Sequence, residues 1–158
     1  MANTATVALD RIDIRILAEL QANGRCSITE LAGRVGLSPS PCLRRVKLLE
    51  DRGVISGYVA VVDQTLVGRE VNVFASIRLE RQREEELERF NAAVAQWPEV
   101  MECYLMTGDS DYLLRVVVPD LEAYERFVMD FTKIQGIAQI RSSFALRPVK
   151  QGTALPLE

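Results

Sequence analysis

The chain has 158 residues, with 48% apolar and 26% charged side chains and a net charge of −3. These values are ordinary for a soluble globular protein of one mid-sized domain or two small ones, and no apolar run approaches the roughly 18 residues that predict a membrane-spanning helix. Histidine is absent, which removes the commonest general base and the commonest metal ligand and so argues against an enzyme.

The first predicted helix covers residues 9–22, because apolar side chains recur there at helical spacing. Asp10 and Asp13 fall in its first turn, where the helix dipole favours acidic side chains. Asn23 and Gly24 end it.

Two further short helices follow closely. Ser27–Glu30 reads as a capping box, in which the serine and glutamate side chains each accept from the other residue's backbone N–H. Gly36 ends this second helix. Ser38 is a favoured N-cap for a third helix that runs to Gly53, and Pro39 is tolerated at its first position, where no N–H is needed. Two short helices joined by a few residues that include glycine are typical of a helix-turn-helix.

The third helix carries polar and basic side chains away from its apolar stripe: Ser38, Ser40, Arg44, Arg45 and Lys47. Residues 1–60 carry a net charge of +2 and residues 61–158 a net charge of −5, the layout expected of a DNA-binding head on an acidic body. We interpret this helix as one that enters the major groove, with Arg44 or Lys47 reaching phosphate or guanine. Arg25 and Thr29 are candidate DNA-backbone contacts. The plain alternative is a solvated basic helix face.

The alternation over residues 54–62 predicts a short strand or hairpin before a linker. The chain is therefore divided into a helix-turn-helix domain at 1–58, a hinge or linker strand at 59–70 and a C-terminal domain at 71–158.

The C-terminal domain is predicted to follow the order βαββαβ. Strands are expected at 71–79, 100–106, 112–118 and 140–146, and helices at 84–96 and 119–136. This is the order of a ferredoxin-like domain, an antiparallel four-stranded sheet with both helices on one face. The whole chain is accordingly an α+β protein.

The second face of that sheet needs a cover. Phe74, Leu105 and Leu113 are apolar strand residues that supply it, and exposing such a surface costs roughly 25 cal/mol per Å². A second subunit is the expected cover, which predicts a homodimer through this domain.

Several stretches of the sequence resemble one protein family. They are LDRID at 9–13, GR at 24–25, RVGLSPSPCLRRV at 34–46, GVI at 53–55, GY at 57–58 and TGDSDYLL at 107–114. Together they resemble the Lrp/AsnC family of feast/famine transcription regulators, in its leucine-responsive branch. The resemblance covers nearly the whole chain, from Leu9 to about Gln151.

The resemblance implies a winged-type helix-turn-helix followed by the family's RAM domain, an α/β sandwich. It implies dimers that pair through their sheets and assemble further into ring-like higher oligomers, with double-stranded DNA as the partner. It also implies an amino-acid effector, leucine or a similar one, bound near the turn at residues 108–112. Such an effector alters assembly or DNA affinity, and neither a resident cofactor nor a metal is implied.

The turn itself offers both partners that an amino acid needs. Free backbone N–H groups suit its carboxylate, and Asp109 or Asp111 suits its ammonium. The candidate ligand-binding residues are Thr107, Gly108, Asp109, Asp111, Tyr112 and, less directly, Ser142. Without the resemblance, the same residues would indicate only a tight turn between two strands, because such turns also favour glycine and aspartate.

Two other classes of function stay open. Ferredoxin-like dimers also host small oxygenases and isomerases, although the sequence yields no candidate catalytic residue. An architectural protein that wraps DNA with little ligand control is the second alternative. Two departures from the leucine-responsive pattern bear on these readings. The N-terminal arm lacks lysines, and Ser110 stands where the close relative has an aromatic residue.

The cysteines and the N-terminus indicate a cytoplasmic protein. Cys26, Cys42 and Cys103 are odd in number and form no C-x-x-C pair, which predicts reduced thiols and disfavours a zinc site. Residues 1–8 lack the basic start of a signal peptide. We expect no membrane partner.

Overall fold

A computed structural model of the chain describes residues 7–157. Residues 1–6 lie outside the described part of the chain. They include most of the N-terminal arm, on which the predictions about a signal peptide and about the missing lysines depend. The chain forms two compact units. The first consists of the N-terminal part of the chain up to Val61 together with the C-terminal tail from Lys150, and the second is Val62–Val149. None of the described helices is long and apolar enough to cross a membrane.

The first unit contains three helices. They are α1 (Arg11–Ala22), α2 (Ile28–Val35) and α3 (Pro39–Asp51). Asp10 precedes α1 as its N-cap and forms a capping box with Asp13, so it lies one residue before the observed helix rather than in its first turn as predicted. The box between Ser27 and Glu30 is confirmed.

The three helices pack around one small apolar core. Its buried members are Ile16, Leu17, Leu31, Ala32, Val35, Cys42, Val46 and Leu49. The C-terminal tail joins this unit, because the Gln21 amide donates to the backbone oxygen of Leu155 at 3.1 Å and accepts from its N–H at 2.6 Å. Leu157 packs against the same core.

Replacing Ser27 with alanine is expected to lower the free energy of unfolding by about 1 kcal/mol, since the α2 N-terminus loses its side-chain acceptor. Urea denaturation measures this change. Ser38→Ala is the matched control: Ser38 also occupies an N-cap, but its side chain accepts no cap hydrogen bond among the described residues. Equal losses in the two variants would contradict the assigned role of the Ser27 cap.

The predicted strand between residues 54 and 62 does not form. Residues 55–63 adopt no regular structure and residues 64–68 form turns. Val59 and Val61 are more than four-fifths exposed. An extended segment becomes a strand only when a neighbour pairs with its backbone groups, and residues 7–157 of a single chain supply none here. Within one chain, the hinge is therefore an irregular linker rather than a strand.

The second unit has the predicted element order. Its elements are β1 (Val71–Leu79), α4 (Glu84–Val94), β2 (Val100–Leu105), β3 (Tyr112–Val118), α5 (Leu121–Phe131) and β4 (Ile137–Phe144). The strands lie in the order β2-β3-β1-β4, with every neighbouring pair antiparallel. The fourth strand begins three residues before its predicted start at residue 140.

Both helices cover one face of this sheet. Alternate residues of β1 are buried, from Val73 to Leu79, and they share a cluster with Phe90 of α4 and Phe127 and Phe131 of α5. Phe90 and Phe131 meet edge to face with ring centroids 6.1 Å apart, and Phe127 and Phe131 stack with centroids 5.0 Å apart. The predicted layering of the domain is confirmed.

The opposite face carries Phe74 and Leu113 as expected, but not Leu105. Phe74 lies opposite Arg115 on β3, and Leu113 lies opposite Ser76 on β1. Leu105 pairs with Tyr112, whose side chain is buried under the helices. The register of β2 shifts between Val100 and Glu102. Such a bulge reverses the alternation that follows it, so the placement of Leu105 on the open face was wrong.

Candidate functional site

One face of α3 gathers three of the predicted DNA-binding residues. At about 100° per residue, Ser40, Arg44 and Lys47 fall within an arc of roughly 60°. All three are exposed. The buried residues of α3, Cys42, Val46 and Leu49, lie on the opposite side. The helix thus presents a polar and cationic stripe to solvent.

The N-terminus of α3 contributes little to anion binding by its backbone. Pro39 and Pro41 have no N–H, and the Cys42 N–H donates to the Ser38 oxygen at 3.2 Å. In the first turn of α3, only the backbone N–H of Ser40 is therefore free to donate to an anion. Attraction for a phosphate must therefore come mainly from the side chains of Arg44 and Lys47.

Arg45 lies outside this stripe. It is held by two carboxylates at the start of α1, Asp10 and Asp13, each at 2.7 Å. The structure therefore groups Arg45 with α1 rather than with Arg44 and Lys47. Sequence reasoning missed this pairing, since its partners are 32 and 35 positions away along the chain.

The remaining candidates for DNA contact flank α2 and α3. Ser38 is exposed just before α3. Thr29 is exposed in the first turn of α2. Arg25 is exposed in the preceding turn, where its backbone N–H donates to the Asn23 side chain at 3.0 Å.

In the second unit, hydrogen bonds of Asp111 hold the hairpin between β2 and β3 against the end of β1. This residue is 6% exposed. Its Oδ2 accepts from the Leu79 N–H at 2.7 Å, and its Oδ1 accepts from the Gln82 side chain at 2.5 Å. Its own N–H donates to the Ile77 oxygen at 2.8 Å. Asp111 thus joins the hairpin to the end of β1.

Gln82 is a residue of this site that sequence reasoning missed. It lies between β1 and α4, 29 positions from Asp111, and nothing in its local pattern distinguishes it from a solvated loop residue. Each Asp111 oxygen has a second lone pair. The carboxylate can therefore accept a further hydrogen bond, for example from a cationic group, while these two neutral donors hold it.

The other predicted ligand-binding residues divide into three groups. Thr107, Gly108 and Asp109 are exposed at the hairpin tip, and Gly108 has φ 120°, a conformation that favours glycine. The Tyr112 side chain is 2% exposed and packs on Phe90 with ring centroids 4.4 Å apart, so it belongs to the core.

Ser142 is separated from the hairpin. It lies on β4 opposite Ala75, on the other side of β1 from β3. Its hydroxyl is 2.6 Å from that of Tyr124. Within one chain, the structure does not bring Ser142 together with Asp111.

An apolar groove of about 480 Å³ lies beside the hairpin. The end of α4 and the edge strand β2 border it, with Val94, Trp97, Val100 and Leu105 among the lining residues. Asn91 and Glu102 also line it, whereas Asp111 is not among its lining residues. The Tyr112 hydroxyl is buried and has no hydrogen-bond partner among the described residues. Burial is also the main cause that raises the pKa of Tyr112, so its phenol is neutral near pH 7.

Family models match both units of the chain. The Lrp/AsnC ligand binding domain matches residues 72–155, and a winged helix-turn-helix DNA-binding domain matches residues 9–56. A Bkd operon transcriptional regulator of Pseudomonas aeruginosa is 47% identical, over 94% of this chain and 98% of that protein. The leucine-responsive regulatory protein of Escherichia coli K12 is 42% identical, over 95% of this chain and 92% of that protein.

The solved structures that are similar to this chain are also transcriptional regulators. An AsnC family transcriptional regulator from Agrobacterium tumefaciens superposes with a TM-score of 0.90 at 44% identity, covering 94% of this chain and 97% of that one. A transcriptional regulator from Neisseria meningitidis, solved in complex with L-Met, gives 0.90 at 42% identity with the same coverage. These relatives are transcriptional regulators rather than enzymes.

Proposed function

Because the chain belongs to the Lrp/AsnC family of DNA-binding transcriptional regulators, we propose that it regulates promoters in response to an apolar amino acid. The effector binds the C-terminal domain near the Gly108 hairpin and alters either the assembly of the protein or its affinity for DNA. The observation that carries this proposal is the match of residues 72–155 to the Lrp/AsnC ligand binding domain, within which Asp111 is a buried carboxylate at the hairpin. The proposal places the protein in the bacterial cytoplasm, where the DNA is.

DNA binding is assigned to α3 in the major groove. Arg44 and Lys47 contact phosphate or guanine edges, and Ser38 and Ser40 contact the DNA backbone near the start of the helix. Arg25 and Thr29 lie on the same unit and supply further DNA-backbone contacts.

The effector is proposed to be leucine or an amino acid of similar size. An amino acid presents an ammonium, a carboxylate and a side chain on one carbon. Asp111 supplies the charge for its ammonium, and the exposed backbone of Thr107–Asp109 supplies donors for its carboxylate. The groove bordered by Trp97 and Leu105 suits an apolar side chain rather than a charged one. A related regulator was solved with L-Met, and another is named for its response to leucine.

A homodimer is proposed through the open face of the sheet, with higher oligomers built from it. Phe74 is 40% exposed there, and Arg115 bridges Asn72 and Glu102 on the same face. Apolar surface ringed by an organised polar network is typical of a protein interface.

Phe74→Lys is expected to weaken this dimer at least about tenfold, because it places an unpaired charge against the partner's surface. Sedimentation equilibrium over a concentration series measures the dissociation constant. Leu121→Lys is the control, since Leu121 is 63% exposed on α5, which covers the helical face of the sheet. An unchanged dimer in the Phe74 variant would move the interface elsewhere.

Fluorescence anisotropy tests the function directly. A labelled duplex from the region upstream of the protein's own gene is titrated with protein, with and without each of a panel of free amino acids. Binding that exceeds binding to a scrambled duplex and shifts with leucine or methionine supports the proposal. Specific binding that no amino acid shifts favours an architectural role. No binding at any protein concentration contradicts the assignment of DNA binding to α3.

A further inference from the structure

Arg45 lies on α3 but is directed toward α1. Its Nη1 atom donates to Asp10 and to Asp13, each at 2.7 Å. The Arg45 side chain is 29% exposed, that of Asp13 is 15% exposed and that of Asp10 is 52% exposed, so water competes less for the contact with Asp13 than for the contact with Asp10. A guanidinium that donates to two carboxylates makes strong, charge-assisted hydrogen bonds.

The two acceptors are themselves fixed in place. Asp10 accepts from the backbone N–H of Ile12 at 2.8 Å and of Asp13 at 2.9 Å, and Asp13 accepts from the Asp10 N–H at 3.3 Å. The Asp13 N–H, and after it the Arg45 side chain, lower the pKa of Asp10. The contact with Asp13 is the main cause that raises the pKa of Arg45. Asp10 and Arg45 therefore both stay charged near neutral pH.

Position 45 lies at the boundary between the buried and exposed sides of α3. It is about 100° around the helix from Arg44 and about 100° from Val46. A contact at this position opposes rotation of α3 about its own axis. That rotation decides where Ser40, Arg44 and Lys47 point.

Apolar packing fixes which side of α3 faces the core but does not by itself fix the exact rotation of the helix. The contacts of Cys42, Val46 and Leu49 with α1 and α2 are non-directional, whereas a hydrogen bond weakens steeply as it departs from linearity. The double contact of Arg45 supplies the directional link between α3 and α1. On the neighbouring pair of helices, Arg34 links α2 to α1 through Glu19 at 3.0 Å.

We propose that Arg45 is a positioning residue, which holds α3 at the rotation where its exposed stripe can read DNA, and that it does not contact DNA itself. This inference rests on the proposed binding of DNA by α3. It replaces the expectation that Arg45 belongs with Arg44 and Lys47 as a direct contact.

Arg45→Met tests the proposal, because methionine keeps an unbranched apolar stem and loses the charge. Affinity for the specific duplex is expected to fall about tenfold, with affinity for a scrambled duplex unchanged. The slope of log K against log salt is expected to stay the same, because no phosphate contact is lost. A slope reduced by about 0.9 on both duplexes would make Arg45 a phosphate contact and overturn the proposal.

Two further variants separate positioning from simple stability. Asp13→Asn is expected to reproduce the loss of specificity, and its effect is expected not to add to that of Arg45→Met, since both break one contact. Arg34→Met removes one charge and one ion pair from the same unit and is expected to leave specificity unchanged.

Stoichiometric titration of active protein and circular dichroism give the folded fraction of each variant. A loss of specificity that vanishes after this correction would overturn the positioning role, as would additive effects of Arg45→Met and Asp13→Asn. Arg45→Lys, which keeps the charge, gives a second measurement if the methionine variant does not fold, and partial specificity is expected of it. Failure of the wild-type protein to bind either duplex would overturn the proposed function as well.

Discussion

A variant with alanine at both Arg44 and Lys47 is expected to bind its specific duplex about 60-fold more weakly near 0.1 M salt. Each phosphate contact releases about 0.9 counterion, so the loss of two contacts lowers the slope of log K against log salt by roughly 1.8. The loss of affinity relative to the wild-type protein should grow as the salt concentration falls. Fluorescence anisotropy at four or more salt concentrations measures the slope.

The reason for this large effect is the composition of α3. Its two prolines leave few backbone donors at its N-terminus, so the charge of the exposed stripe resides in these two side chains. The matched control is a double alanine variant at Arg126 of α5 and at Lys133, which lies two residues after the end of that helix. Both form only exposed pairs with neighbouring acids, which contribute little to stability. Unchanged binding and slope in the Arg44 and Lys47 variant would contradict the assignment of α3.

Asp111→Asn is expected to weaken effector binding by about 10- to 150-fold and to abolish the shift in DNA affinity. A hydrogen bond to a charged group contributes about 1.5–3 kcal/mol, and asparagine removes that charge where the effector ammonium is proposed to bind. Asparagine still offers an oxygen to the Leu79 N–H. Isothermal titration calorimetry with leucine and with methionine measures the affinity, and DNA binding without effector should be unchanged.

The choice of asparagine follows from the contacts of Asp111. Alanine at this position would leave the buried Leu79 N–H without its acceptor, at a cost of about 1–3 kcal/mol in stability, and would confuse folding with binding. Gln82→Ala is the control, since it removes the neighbouring donor but no charge. If that variant lost the response equally, the role of Asp111 would be to hold the hairpin. A full response from Asp111→Asn would move the effector site elsewhere.

The sequence by itself determined the parts of this protein that depend on near neighbours. The capping box at Ser27 and Glu30 joins residues three positions apart, so its pattern is visible in the chain. Helical and strand periodicity likewise predicted the three helices of the first unit and the order of the elements in the second, and the family stretches predicted the two domains that the family models match. These signals are local because helix caps and amphipathic faces are set within one or two turns.

Only the tertiary structure decided which distant groups meet. Arg45 resembles its neighbour Arg44 in sequence, yet the packing of α1 against α3 gives it two carboxylate partners. Asp111 and Gln82 become neighbours because β1 and β3 pair, and Ser142 is kept from the hairpin because β1 lies between β3 and β4. A single bulge in β2 moved Leu105 to the helical face. Such contacts follow from helix packing, strand order and register, which a periodic pattern in the sequence does not encode.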